Sequence, residues 1–175
     1  MIKRKNPPYA SSQVDAYATQ GRISKLLEEY GAKGVQWTAM FTEGKVELAF
    51  ILEAEIEGVR KEFMVKLTPP PLTTKRRTWN PAKGRHDVVH APNWSQSMRL
   101  LYWYVKTKIE AIAYGLVSAE REFLSEIVVK LPTGEQGRVG DILSSQVING
   151  TLALPQASKP EGEIRDAEYE TVKEE

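Results

Sequence analysis

A chain of 175 residues with 41% hydrophobic content is the size of one ordinary domain and can bury a real core. It contains no cysteine, which excludes a disulfide framework, a thiolate zinc cluster and a cysteine nucleophile and predicts an intracellular protein. The net charge of +1 hides a strong segregation: from residue 68 to 108 eight cations stand against Asp87 alone, whereas from 159 to 175 seven acids face Lys159, Arg165 and Lys173.

In chain order, Met1 to Lys5 are basic but lead into Asn6, Pro7, Pro8 and Tyr9, so the hydrophobic segment of a secretory signal is missing. No stretch approaches the roughly 20 apolar residues of a membrane span, and a cytoplasmic protein without membrane contact is expected. Residues 1–19 show no sustained apolar period and read as a flexible arm. Ile23, Leu26, Leu27 and Tyr30 then recur at helical spacing, with Gly31 suited to the left-handed position past a helix end. Val35, Trp37, Ala39 and Phe41 alternate with Gln36, Thr38, Met40 and Thr42, a half-buried strand that stops at Glu43 and Gly44. In the next strand Val46, Leu48, Phe50, Leu52, Ala54 and Ile56 take one face and Glu47, Glu53, Glu55 and Glu57 the other. Ala49 and Ile51 predict that the second face is covered near its middle. After Gly58 the alternation continues through Val59, Phe63, Val65 and Leu67, with Lys61 the exception. Short glycine-containing turns between alternating runs predict antiparallel hairpins.

Residues 68–92 hold five prolines, one glycine and the densest cations, with neither period, and read as a long basic loop. Asn93 with Gln96 three residues later suggests a capping box, and Met98, Leu101, Val105, Ile109, Ile112 and Leu116 form a stripe about six turns long. Gly115 and Ser118 mark its end. A shorter helix carrying Phe123, Leu124 and Ile127, a small hairpin or turn through Val128 to Gly134, and a last amphipathic piece around Val139, Ile142, Leu143 and Val147 follow. The expected class is α+β: a three-stranded antiparallel meander packed against a long helix, with a short N-terminal helix and short C-terminal helices, in one domain over residues 20–154. Residues 155–175 read as an acidic disordered tail.

The basic segment carries the chemistry. Lys75, Arg76, Arg77, Lys83 and Arg85 can neutralise phosphates, and Trp79, His86, His90 and Trp94 offer flat faces for unstacked bases, a mixture that suits single strands better than duplex. Arg99, Lys106 and Lys108 extend the patch if they lie on the exposed side of the long helix. A solvated loop whose tryptophans fold back onto the core explains the same residues. The acidic tail can compete for a basic groove or tether a protein partner, and a solubilising tail explains it equally. His86 and His90 would share a helical face, but with only Asp87 beside them they fall short of a metal site. Glu53, Glu55 and Glu57 stand about 6.6 Å apart along one strand face, a spacing that could hold a divalent cation. Lys61 and Lys66 on the following strand are expected to lie opposite. Glu43 and Lys45 resemble half of the catalytic motif of restriction-type nucleases, without the aspartate that motif needs. No glycine-rich phosphate loop, nucleophile elbow or dinucleotide fingerprint is present, so neither an ATPase nor a Rossmann enzyme is expected, and no cofactor is expected.

Two segments, Ile23 to Trp37 and Met98 to Ser118 (MRLLYWYVKTKIEAIAYGLVS) followed by Glu122, Phe123 and Leu124, resemble an uncharacterised family found in phages and other mobile elements, over roughly residues 20–145. The order of a short helix, three antiparallel strands and a long basic helix is similar to the core of single-strand annealing proteins of the Red-beta kind. That similarity implies a positively charged groove, a homo-oligomer and strand pairing without nucleotide hydrolysis, and it carries no individual site residue. The expectation is therefore a non-enzymatic single-stranded DNA binding protein, bound through Lys75, Arg76, Arg77, Trp79, Lys83, Arg85, Arg99 and Lys106. The alternative is a protein-interaction factor using the exposed strand edge or the aromatic residues Trp94, Tyr102, Trp103 and Tyr104. A metal-dependent nuclease on the glutamate row is the remaining enzymatic reading.

Overall fold

The computed structural model describes residues 8–40, 42–56, 58–149 and 151–152. The first helix, α1 (Ala16–Glu29), begins inside the segment read as a flexible arm. Asp15 starts it there: its Oδ2 accepts the Ala18 N–H at 3.0 Å, and its carbonyl accepts the hydroxyl of buried Thr19 at 3.1 Å. A side-chain acceptor at that position satisfies a backbone donor that the first helical turn cannot. The helix ends at Tyr30 and Gly31, whose φ of 83° is the left-handed geometry that glycine adopts without strain.

Three strands follow, β1 (Gly34–Met40), β2 (Lys45–Ile56) and β3 (Val59–Leu67), antiparallel and in sequence order. The alternation sets the register. Phe50 stands between Val35 and Val65, and Leu48 between Trp37 and Leu67, so that the apolar sets of all three strands share one face. Onto that face come Ile23 and Leu27 from α1 and Met98, Leu101, Val105 and Ile109 from α2 (Trp94–Ala113), forming one core cluster. Phe123 closes it edge-on to Phe50, with ring centroids 5.4 Å apart and planes at 82°. Trp37 spans the layers, its indole N–H donating to Ser24 Oγ at 3.0 Å.

On the other face Ala49 is buried and Ile51 half-buried, as the sequence predicts. Glu53 is held by Lys33 at 3.3 Å and Arg60 at 3.7 Å, and Glu47 by Lys66 at 3.3 Å. The expected partner Lys61 is not among them. It stands opposite Ala54, on the core side of the pleat, and Arg60 takes the place across from Glu55. Glu57 lies outside the described residues.

The main departure from expectation is at residues 68–92. In place of a loop, β4 (Thr73–Asn80) and β5 (Arg85–Pro92) form an antiparallel hairpin that is its own two-stranded sheet. No residue of either strand is buried, so no apolar set alternates with a polar one and the period of two leaves no trace in the hydrophobicity. The hairpin runs directly into α2. Asn93 Oδ1 accepts the Gln96 N–H at 3.1 Å, the forward half of the capping box that the sequence suggested. The return half is absent, because the Asn93 backbone N–H donates to the Leu72 carbonyl at 2.8 Å and Gln96 Oε1 accepts from the Asn93 side-chain Nδ2 at 3.3 Å instead. Of the predicted stripe Leu116 is wrong: the helix closes at Tyr114 and Gly115, and Leu116 is 80% exposed beyond it.

The predicted shorter helix is only α3 (Ala119–Glu122), followed by a 3-10 turn over Leu124–Glu126. Phe123 is buried between them, Leu124 is exposed, and Ile127 bridges to Val65. β6 (Val128–Lys130), β7 (Gln136–Arg138) and α4 (Val139–Ile148) complete the described chain. Among the described residues no helix is long and apolar enough to cross a membrane. The segment read as an acidic tail, 155–175, lies outside them.

Candidate nucleic-acid interface

The β4–β5 hairpin sorts the basic segment by strand parity. Residues directly opposite each other in an antiparallel pair share a face, and neighbours along a strand do not. Lys75 pairs with His90, Arg77 with Val88 and Trp79 with His86, which puts all six on one face. Arg76 pairs with Val89, Thr78 with Asp87 and Asn80 with Arg85, and these occupy the reverse face. Pro81 to Gly84 make the tip. There Lys83 N–H donates to the Asn80 carbonyl at 3.2 Å, Ala82 N–H donates to Asn80 Oδ1 at 3.1 Å, and Gly84 takes a φ of 58°.

The one acid of the segment belongs entirely to the reverse face. Asp87 accepts from Asn80 Nδ2 at 2.8 Å and Lys83 Nζ at 3.2 Å, and Arg85 Nε lies 3.5 Å away. The Asn80 hydrogen bond, with the Lys83 and Arg85 cations, holds the Asp87 carboxyl below the usual aspartate range. Lys83 and Arg85 are thus tied locally to a carboxylate. On the first face Lys75 and Arg77 have no carboxylate partner among the described residues, and two positions apart on one strand they stand about 6.6 Å from each other. Next along that face Trp79, 54% exposed, meets His86 edge-on at 5.2 Å and 68°. His86 and His90, four residues apart on one strand, are separated by about 13 Å, too far to share a metal ion.

The helical cations do not continue this face as expected. Lys106 is paired with Glu110 one turn on, and Lys108 with Glu122 at 2.9 Å, its ammonium also over the rings of Tyr104 and Phe123. Arg99 stands apart, within about 6 Å of the rings of Tyr9, Tyr102 and Trp103. Trp94, expected to offer a face for a base, packs against the core instead. Of the eight residues named from sequence, therefore, Lys75, Arg77 and Trp79 come together; Arg76, Lys83 and Arg85 lie on the reverse of the same ribbon; Arg99 and Lys106 belong to other surroundings.

Tyr104 is likewise engaged, its hydroxyl donating to Glu126 Oε1 at 2.6 Å. Burial, with the Glu126 hydrogen bond and charge, pushes the Tyr104 phenol above its ordinary value. Burial also raises Glu126, but hydrogen bonds from Ser125 and Tyr104 and the Lys108 charge outweigh it and leave that carboxyl below the usual range.

Two concave surfaces among the described residues lie away from the hairpin. A groove of about 420 Å³ is lined by Tyr17, Trp37, Trp94 and Met98, and another of about 520 Å³ by Leu67, Leu101 and Tyr104; neither includes a hairpin residue. No group of His, Asp or Glu that could hold a metal is found among the described residues. The hairpin face offers charge, stacking surface and length, which is what an extended polyanion with flat side groups can use. No protein-family model, curated protein or solved structure matches the chain.

Proposed function

We propose that the protein binds single-stranded nucleic acid, DNA in the first instance, along the β4–β5 face that carries Lys75, Arg77, Trp79, His86 and His90. The supporting observation is the parity of the hairpin: the only acid in the segment is on the reverse side, so two cations and an exposed indole share a surface free of competing carboxylate among the described residues. Lys75 and Arg77 neutralise phosphates and release their counterions, and Trp79 gives a base a face on which to stack. Stacking does not read the sequence of bases, so this reading is one of low sequence preference. Pairing of complementary strands is an extension of it and needs no nucleotide hydrolysis.

Fluorescence titration of a labelled oligonucleotide tests the proposal. Wild-type protein should bind, and Lys75→Glu/Arg77→Glu should weaken binding by at least about tenfold, or roughly 1.4 kcal/mol. Superimposable curves for the two proteins would refute it.

A second reading, a protein-interaction factor, is favoured by β1. It is an edge strand, and Gly34–Met40 contains no charged residue to discourage pairing with another strand. An interaction with a protein partner that persists after nuclease treatment and is lost on Thr38→Lys would favour this reading.

A further inference from the structure

Gln96 is buried, and its side-chain amide donates to the Pro8 carbonyl at 2.7 Å; Asn93 Nδ2 donates to the Ala10 carbonyl at 3.4 Å. The segment before α1 is thereby fixed against the start of α2. Between those two tethers Tyr9 takes a φ of 59°, the left-handed region that non-glycine residues rarely enter. This conformation brings its ring to 5.9 Å from the Arg99 guanidinium, which is 6.0 Å from the Tyr102 and Trp103 rings as well. Tyr9 and Trp103 are each 39% exposed, and Arg99 has no carboxylate partner among the described residues.

A half-buried guanidinium without a carboxylate partner among the described residues, set beside two partly exposed aromatic rings, has the chemistry of a nucleotide seat: the cation meets a phosphate and a ring meets a base. We propose that Tyr9, Arg99 and Trp103 form a second seat for the single strand held by the hairpin. This rests on the reading of the β4–β5 face as the first seat. The covalent layout supports it, since β5 passes into α2 through Asn93 alone and Arg99 lies only six residues further, about 9 Å along the helix axis. A strand that leaves the base of the hairpin along α2 on the Arg99 side would reach it within the first two turns of the helix.

The test is photochemical cross-linking of a strand of about 20 nucleotides, long enough to cover both seats, with bromodeoxyuridine in place of thymidine and adducts located by mass spectrometry. The expected result is adducts at Trp79 and also at Tyr9 or Trp103. Arg99→Gln, which keeps most of the stem, should reduce the second group at least severalfold and spare Trp79. Adducts confined to Trp79 would overturn the second seat and leave the hairpin reading standing. Trp103 adducts unchanged in Arg99→Gln would overturn the role given to the guanidinium. A wild-type protein with no adducts and no affinity for the strand would remove both seats together.

Discussion

Asp87 shows how one side chain divides a charged segment. Its carboxylate gathers Asn80, Lys83 and Arg85 on the reverse of the hairpin and leaves Lys75 and Arg77 unmatched on the front. Because its folded-state pKa lies below the ordinary aspartate value, the stabilisation it gives the tip is present above that ordinary value, about pH 3.9, and is lost as pH falls through the folded value. Acidification below about pH 4 should therefore loosen the tip and shift Trp79 emission. Asp87→Asn should remove that transition, and a transition of equal size in the variant would show that other carboxylates cause it. The residue scale is also where the sequence was least readable. The eight cations could be counted, but which were already paired could not. Lys106 and Lys108 find Glu110 and Glu122 only through the helix and its packing. Likewise Tyr9 reaches Arg99 through an 88-residue contact between Pro8 and Gln96 that no local pattern announces.

At the scale of elements, legibility followed burial. β1, β2 and β3 each turn one face to a core, so their alternation and the turns at Gly44 and Gly58 could be read directly, whereas the cross-strand partners could not: Lys61 stands opposite Ala54. The N-cap of α2 could be read for a similar reason: Asn93 Oδ1 satisfies the Gln96 backbone N–H at a fixed spacing. Asn93→Ala should cost about 1 kcal/mol, with additional loss from the freed Ala10 tether, measurable as a lowered urea midpoint. An unchanged midpoint would mean that the cap contributes nothing. The β4–β5 hairpin escaped because strands with no buried residue carry no hydrophobic signal, and proline at 69–71, 81 and 92 argued for a loop. Those prolines lie before β4, in its tip and at the final residue of β5, where no interior ladder donor is required. An isolated two-stranded ribbon is marginal in water, so this one depends on its base, where Asn93 N–H donates to the Leu72 carbonyl at 2.8 Å.

For the whole molecule, the core and the hairpin are separate investments of sequence. Phe50 and Phe123 pack edge-on where the sheet meets the turn after α3, and Phe50→Ala should destabilise the protein by about 3–5 kcal/mol in equilibrium unfolding. Lys75→Ala/Arg77→Ala, changing only exposed side chains, should leave that unfolding curve nearly unchanged. Stability and binding are then separable by mutation. The most direct test compares that double variant with Lys83→Ala/Arg85→Ala, which removes the same charge from the other face. Affinity for a labelled single strand should be measured across a range of salt concentrations. The front-face variant should lower the slope of log affinity against log salt by about 1.4, the equivalent of two single-strand phosphate contacts, while the reverse-face variant leaves it nearly as in the wild type. Equal losses from both pairs, or none from either, would contradict a binding surface set by the parity of the hairpin.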